Sequence, residues 1–173
     1  MSRWGVALAL AGCAGGLPPC EGPEFVAFAS DFADFQRWHR TELDDADPRL
    51  GGGPRVVYVN ALPPRGATAF PQCTMFVKTT ERGDDPSKWF MVGMAKRGGG
   101  YNADGATGWE WFDLDANADG VPAIDWRGPT PPEGRGYDCA LGEDEGTEVE
   151  NVGDCNTCHA AAADNDFVLS TQL

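Results

Sequence analysis

The residues with the most specific chemistry lie near the end of the sequence. Cys155, Cys158 and His159 form a C-x-x-C-H motif. Two thiols three positions apart can form thioethers with the two vinyl groups of a c-type haem, and the adjacent histidine can then ligate the iron. A thioredoxin-like redox pair and half of a zinc site are the alternatives, but a zinc site needs a second pair of ligands. The motif therefore predicts one covalently attached haem c.

Few residues are available to ligate the second side of such an iron. A bis-histidine site would have to use His39, the only other histidine. A Met/His electron-transfer haem would use one of three methionines in strand-like runs, Met75, Met91 and Met94. Methionines in such runs more often fill a core. The sequence therefore favours an open or water-bound sixth position, where a small molecule could bind or react.

The N-terminal residues predict export. Arg3 precedes a short apolar run, and residues 10–13 (LAGC) resemble the bacterial lipobox, in which cleavage before the cysteine is followed by its acylation. An ordinary signal peptide or a misassigned start is the alternative. We expect residues 1–12 to be a lipoprotein signal peptide and Cys13 to be the lipidation site.

The residues after the signal predict how the domain is placed in the cell. Residues 13–24 are rich in Gly and Pro and should form a tether to a domain spanning residues 25–173. Ala14, which follows the lipidated cysteine, favours the outer membrane of a Gram-negative bacterium. We therefore expect a periplasm-facing lipoprotein in an oxidising compartment.

Composition excludes several functional classes. A chain of 173 residues with 42% hydrophobic residues is enough for one domain with a core. The formal charge is −14; removal of Arg3 with the signal leaves 12 basic against 27 acidic residues, or −15. Nucleic acid is therefore a poor partner, and the membrane is contacted only through the lipid. A redox partner protein should be basic.

Three cysteines remain after lipid and haem are assigned: Cys20, Cys73 and Cys139. An odd number allows at most one intramolecular bridge among them. We favour Cys73–Cys139, because both residues lie inside the expected folded region. Cys20 could pair instead with either of them, or with its counterpart in a dimer.

The periodicity of apolar residues predicts an α+β fold. Aromatic residues at helical spacing (Phe25, Phe28, Phe32, Phe35 and Trp38) indicate an N-terminal amphipathic helix. Short β-rich runs separated by Gly, Pro and Asp then indicate a mainly antiparallel sheet of about five strands, at residues 55–60, 74–79, 89–96, 108–113 and 123–126. The C-x-x-C-H motif should lie on a short C-terminal helix.

Residues 113–120 (DLDANADG) place oxygen side chains at alternate positions before a glycine, as calcium loops do. With Asp115 as the first loop position, Trp126 occupies the twelfth, where an EF-hand needs a bidentate glutamate. We expect a polar turn between strands, not a calcium site.

Between residues 56 and 169 the sequence resembles the cytochrome P460 and cytochrome c′-β family. The shared order of motifs is VYVN (57–60), FPQCTMFVK (70–78), FMVGM (90–94), GWEW (108–111) and CNTCHA (155–160), followed by DFVL (166–169). The resemblance implies a mainly antiparallel β fold with a few helices, a homodimer and a five-coordinate haem. Cys73 and the long acidic segment before the haem motif depart from the family pattern.

The resemblance to P460 members implies two further site residues. These enzymes oxidise hydroxylamine and carry a lysine cross-linked to the haem, and Lys78 occupies the matching strand; Lys96 is a weaker substitute. Glu150 matches the distal carboxylate that would act as a base. Lys78 could instead be a strand-end lysine that reaches solvent, and Glu150 could be one more acid in a solvated charged loop.

Resemblance to c′-β members implies a different activity. There, aromatic side chains cap the distal face, and the haem binds nitric oxide without turnover. Four aromatic residues could form such a cap, although such residues are more often simply core: Phe76, Phe90, Trp109 and Trp111. A plain Met/His electron carrier is the third possibility.

Overall fold

The computed structural model describes residue 20 and residues 22–43, 53–116, 121–133 and 154–171. These residues form six strands: β1 (His39–Leu43), β2 (Arg55–Val59), β3 (Met75–Thr80), β4 (Phe90–Lys96), β5 (Trp109–Ala116) and β6 (Pro122–Gly128). One α-helix, α1 (Cys155–His159), carries the C-x-x-C-H motif. Short 3-10 helices cover Ala29–Phe32, Phe35–Arg37, Pro86–Lys88 and Ala160–Asn165. The mainly antiparallel α+β prediction is thus confirmed.

The six strands form one antiparallel sheet in the order of the sequence. All five predicted strands are present, because runs of β-branched and aromatic residues pack well on a pleated surface. Their register places Lys78 of β3 between Val57 and Val92, and Val92 beside Asp113 of β5. A β-bulge between Asp113 and Leu114 interrupts the pairing of β5 with β6. Bulges redirect side chains locally.

Each face of the sheet carries its own core. On one face, Phe32 and Phe35 of the N-terminal segment pack on residues that include Tyr58, Val77 and Phe112. We call the opposite face the motif face, because Cys155 and Phe167 pack against its cluster of Val57, Val59, Phe70, Phe76, Met94, Ala106, Trp109, Trp111 and Val168. Side chains alternate between faces along a strand, so Lys78, two residues after Phe76, also belongs to the motif face.

The N-terminal segment is not the predicted amphipathic helix. It forms two short 3-10 helices, separated by Asp34 in the left-handed conformation with φ 58°. Phe32 and Phe35 are buried, as expected, but Phe28 is 63% exposed. A spacing of three to four residues between phenylalanines fits 3-10 turns as well as an α-helix, so periodicity alone did not distinguish them.

The sixth strand, β1, was also missed. His39–Leu43 pairs with β2 at the edge of the sheet and is mostly exposed. Its charged residues Arg40 and Glu42 form an ion pair at 2.5 Å. Charged side chains are typical of edge strands. Such strands therefore lack the alternation of apolar and polar residues by which a half-buried strand is recognised in a sequence.

The predicted Cys73–Cys139 bridge was wrong. Cys73 forms a disulfide with Cys20, with the Cα atoms 6.1 Å apart. Nearby, Glu24 accepts a hydrogen bond from Nη2 of Arg97 at 3.1 Å. The end of the expected tether is thus bound to the sheet, which brings Cys20 within reach of Cys73.

Three predicted sites lie outside the described residues: the lipidation site Cys13, Cys139 and the proposed base Glu150. Residues 117–120 of the calcium-like sequence are also outside them, whereas Asp113 and Asp115 lie in β5. In the described part of the chain, no helix is long and apolar enough to cross a membrane.

Candidate functional site

The C-x-x-C-H helix begins at a side-chain cap. Oδ1 of Asp154 accepts hydrogen bonds from the backbone N of Thr157 at 2.8 Å and from its hydroxyl at 3.0 Å. Such caps satisfy backbone donors that a helix leaves unpaired at its first turn. The cap therefore fixes where α1 starts, and with it the positions of Cys155 and His159.

Asn156, between the two cysteines, attaches α1 to the sheet. Its Oδ1 accepts hydrogen bonds from Nδ2 of Asn102 at 2.7 Å, from the backbone N of Ala106 at 3.0 Å and from Nε1 of Trp111 at 3.1 Å. Its Nδ2 donates to the carbonyl of Pro129 at 3.0 Å. One amide therefore connects the motif to β5, to the loop before β5 and to the residue after β6.

The imidazole of His159 is held in one orientation. Its Nδ1 lies 2.6 Å from the carbonyl oxygen of Phe167, and its ring centroid lies 4.6 Å from that of Trp111. A carbonyl can only accept, so Nδ1 carries the proton and Nε2 keeps the lone pair. Burial lowers the pKa of His159 to about 4; the Phe167 bond opposes this change, and the charge of Lys78 adds to it. The ring is neutral at neutral pH, as a metal ligand must be.

Cys155 is a free thiol, half-buried against the motif face. Burial raises its pKa to about 12, the charges of Asp154 and Asp113 add to the increase, and the charge of Lys78 opposes it. A thiol with a raised pKa is a weak nucleophile by itself.

Lys78 acts electrostatically on both Cys155 and His159. The structure therefore brings together the motif and the lysine that the family resemblance singled out. Lys78 is half-buried in β3. Asp113 lies two strands away in the same row of the sheet, roughly 10 Å between Cα atoms at the usual strand spacing.

Lys96, the weaker substitute, has a different environment. Its ammonium lies 2.6 Å from Oδ1 of Asp166 and 4.9 Å from the ring centroid of Trp109, and it donates to the carbonyl of Thr107 at 3.2 Å. The charge of Lys78 instead acts on both Cys155 and His159, so Lys78 is the better candidate for contact with a bound group.

Two of the three methionines cannot face the motif. Met75 and Met91 belong to the core on the opposite side of the sheet, whereas Met94 lies in the motif-face cluster. His39 is exposed on β1, four strand positions and roughly 19 Å from Trp111 in the same row. Of these four residues, Met94 alone shares the environment of His159.

The aromatic residues proposed as a cap lie mostly within the motif-face core. Phe76, Trp109 and Trp111 are buried there, and Phe76 packs on Trp109 with centroids 5.9 Å apart. Phe90 lies four residues before Met94 on β4, so its side chain is also on the motif face, but it is only partly buried. Trp111 is the one that contacts His159.

Attachment of a c-type haem requires three residues of the motif. Two of them, Cys155 and His159, are in a suitable state, and the third, Cys158, is not. His159 presents Nε2 as a ligand, and Cys155 has a free thiol beside it. Cys158 is disulfide-bonded. A thioether also needs the Cys158 sulfur, so this disulfide would have to be reduced to the thiol before a haem could be attached there.

Two residues that support the site were not predicted. Asn156 occupies an unspecified position of the motif, and Asp166, which holds the turn leading to Phe167, was noted only as part of a sequence block. Their partners lie as far as 54 and 96 residues away. Asp166 has φ 52° and follows the end of a 3-10 helix, where aspartate can adopt the left-handed conformation. The residue type at this helix end is the one local feature of the sequence that points to Asp166.

Among the described residues, no group of three or more His, Cys, Asp or Glu side chains is arranged to hold a metal ion. Comparison of the chain with protein-family models, with curated proteins and with solved structures found no match.

Proposed function

We propose that the chain is an exported monohaem c-type cytochrome with an open distal site for a small nitrogen species. In this proposal Cys155 and Cys158 hold the haem through thioethers, and His159 ligates its iron. The state of His159 supports this most directly: its ring is half-buried and neutral, with Nδ1 engaged and Nε2 available. Ligating histidines are usually oriented by such a hydrogen bond at the other nitrogen.

The placement of other potential ligands supports an open sixth position. Met75 and Met91 lie across the sheet, and His39 lies at its edge. Met94 is buried at 6% exposure within the packed motif-face cluster. These positions argue against bis-histidine ligation and against two of the three methionine choices.

We further propose that the ligand is hydroxylamine or nitric oxide and that hydroxylamine is oxidised, as in P460 proteins. A haem c with an open position would bind the nitrogen and accept electrons. Lys78 supports this proposal because its charge reaches both Cys155 and His159, as required of a lysine beside the haem. The proton acceptor would be Glu150, and a basic redox protein would remove the electrons.

A second candidate is nitric-oxide binding without turnover, as in c′-β proteins. The observation that favours it is the aromatic character of the motif face, where Trp111 contacts His159 and packs among other buried aromatic residues. An apolar site offers no group to take a proton, so bound nitric oxide would be retained unchanged.

The cellular setting is part of the same proposal. Lipidation of Cys13 would hold the protein at the outer membrane facing the periplasm, and the family resemblance implies a homodimer. The charge of −15 that remains after removal of the signal, 12 basic against 27 acidic residues, favours docking of a basic electron acceptor, and that docking should weaken with salt.

Optical spectroscopy of the purified, haem-loaded protein tests this function. We expect a high-spin ferric spectrum, with changes on addition of nitric oxide or hydroxylamine, and hydroxylamine-dependent reduction of an electron acceptor. Binding of nitric oxide without turnover of hydroxylamine would support the c′-β alternative. A low-spin iron that responds to neither compound would contradict both.

A further inference from the structure

Asp166 connects three separate parts of the motif face. Its Oδ1 accepts a hydrogen bond from Lys96 Nζ at 2.6 Å, and its Oδ2 accepts one from the backbone N of Phe70 at 2.9 Å. Its own carbonyl accepts from Nε1 of Trp109 at 2.7 Å. The side chains of Lys96 and Asp166 are only 13% and 11% exposed. Asp166 is therefore fixed by the end of β4, the start of β5 and the loop before β3.

The backbone at Asp166 and the next residue is unusual. Asp166 has φ 52° and Phe167 has φ 65°, so two consecutive residues that are not glycine are left-handed. Aspartate is among the residues that enter this region, but a bulky residue such as phenylalanine does so rarely. Such conformations persist where surrounding contacts impose them, and here the bonds to Asp166 supply those contacts.

This turn aims a carbonyl at the motif. The backbone N of Phe167 donates to the carbonyl of Ala162 at 2.7 Å, and the carbonyl of Phe167 then accepts from Nδ1 of His159 at 2.6 Å. Without the left-handed pair, the carbonyl of Phe167 would point elsewhere. The orientation of the His159 ring thus depends on the anchoring of the residue before Phe167.

We propose that Asp166 is a positioning residue for His159, acting through the carbonyl of Phe167. It fixes the Nδ1–H tautomer and directs Nε2 toward the group that His159 ligates. A strong hydrogen bond at Nδ1 makes Nε2 a more basic ligand. This inference relies on the proposed haem only for its readouts on the iron, because the hydrogen bond itself belongs to the protein.

The test compares Asp166→Ala and Asp166→Asn with Asp164→Ala, which changes an exposed aspartate in the 3-10 helix that ends just before Asp166. In the haem-loaded full chain, we expect Asp166→Ala to lower the iron–histidine stretching frequency of the ferrous protein and to raise the reduction potential. Asp166→Asn should give a smaller change, since an amide oxygen can still accept from Phe70 but carries no charge for Lys96. Asp164→Ala should match the wild type.

A second measurement separates this inference from the proposed function. In the full chain produced without haem, nitrogen NMR of His159 should show one Nδ1–H tautomer in the wild type and in Asp164→Ala, and a mixture of tautomers in Asp166→Ala. Absence of haem from the wild-type chain would contradict the proposed function. The tautomer measurement would then show by itself whether Asp166 positions His159. If Asp166→Ala does not fold, the isosteric Asp166→Asn decides. Unchanged stretching frequency, potential and tautomer in the folded variants would overturn the inference.

Discussion

Oδ1 of Asn156 accepts a hydrogen bond from Nε1 of Trp111 at 3.1 Å, and Trp111 packs directly against His159. One of the two residues between the motif cysteines thus holds the tryptophan that contacts the motif histidine. The same oxygen accepts from Asn102 and from the backbone N of Ala106. Helix α1 has only five residues, so its position depends on these contacts with the sheet and its loops and not on its own length.

Replacement of Asn156 by alanine should destabilise the protein by about 3 kcal/mol, because buried donors on Trp111 and Ala106 lose their acceptor. Asn156→Asp keeps the acceptor oxygens and should cost less. Urea unfolding monitored by tryptophan fluorescence measures both. Thr157→Ala, which removes one exposed hydroxyl bond to Asp154, is the control and should cost under about 1 kcal/mol. Equal stability of Asn156→Ala and this control would contradict the role of Asn156.

Gly105→Ala should displace the motif helix for a steric reason. A Cβ at Gly105 would lie 2.5 Å from Nδ2 of Asn156, closer than atoms can pack. We expect a lower melting temperature and a smaller fraction of chains with haem attached. Gly128→Ala is the matched control, because its Cβ would meet nothing closer than 3.4 Å. If Gly105→Ala were as stable as Gly128→Ala, the close approach of the Asn156 side chain to the loop at Gly105 would not be needed for the position of the motif helix.

Lys78 should determine the colour of the loaded protein. If it is cross-linked to the haem, the ferrous wild type absorbs far to the red, and Lys78→Gln loses this band while keeping two thioethers. Lys88→Gln is the control, since Lys88 is an exposed lysine paired with Asp85 at 3.3 Å. A wild-type spectrum without the red band, unaltered by Lys78→Gln, would instead favour the c′-β alternative.

The Cys20–Cys73 bridge should stabilise the attachment of the N-terminal segment. It closes a loop with a sequence separation of 53, so loop closure gives about 2–4 kcal/mol. Cys20→Ser should lower stability by that amount, and peptide mapping without reduction should recover the two cysteines in one linked fragment. Cys139→Ser should leave this fragment intact. Recovery of Cys73 linked to Cys139 would contradict the assignment.

The central strands could be predicted from the sequence, but the N-terminal elements could not. Runs such as residues 74–79 contain β-branched and aromatic residues whose packing agrees with their local preference. The spacing of the phenylalanines in the first segment fits an α-helix and 3-10 turns equally well. No sequence pattern marks the left-handed conformation of Asp34, which separates the two turns. β1 is an edge strand with charged residues, which conceal its alternation.

The part of the candidate site that can be predicted from sequence is the local motif. The C-x-x-C-H spacing predicts Cys155, Cys158 and His159 as haem-binding residues, and the resemblance predicts Lys78, whose charge acts on Cys155 and His159 in the structure. Asn156 and Asp166 act through partners on other elements, and no local pattern marks such contacts. The Cys20–Cys73 pairing was missed because it depends on how residues 20–24 return to the sheet.

The central claim is that Cys155 and Cys158 attach one haem. Intact-mass and peptide mass spectrometry of the chain, produced with a c-type haem maturation system and analysed without reduction, tests it most directly. We predict one haem per chain, on a peptide in which both cysteines form thioethers and Cys158 has no disulfide. A chain without haem, whose Cys158 remains disulfide-bonded and whose Cys155 remains a free thiol, would contradict the claim.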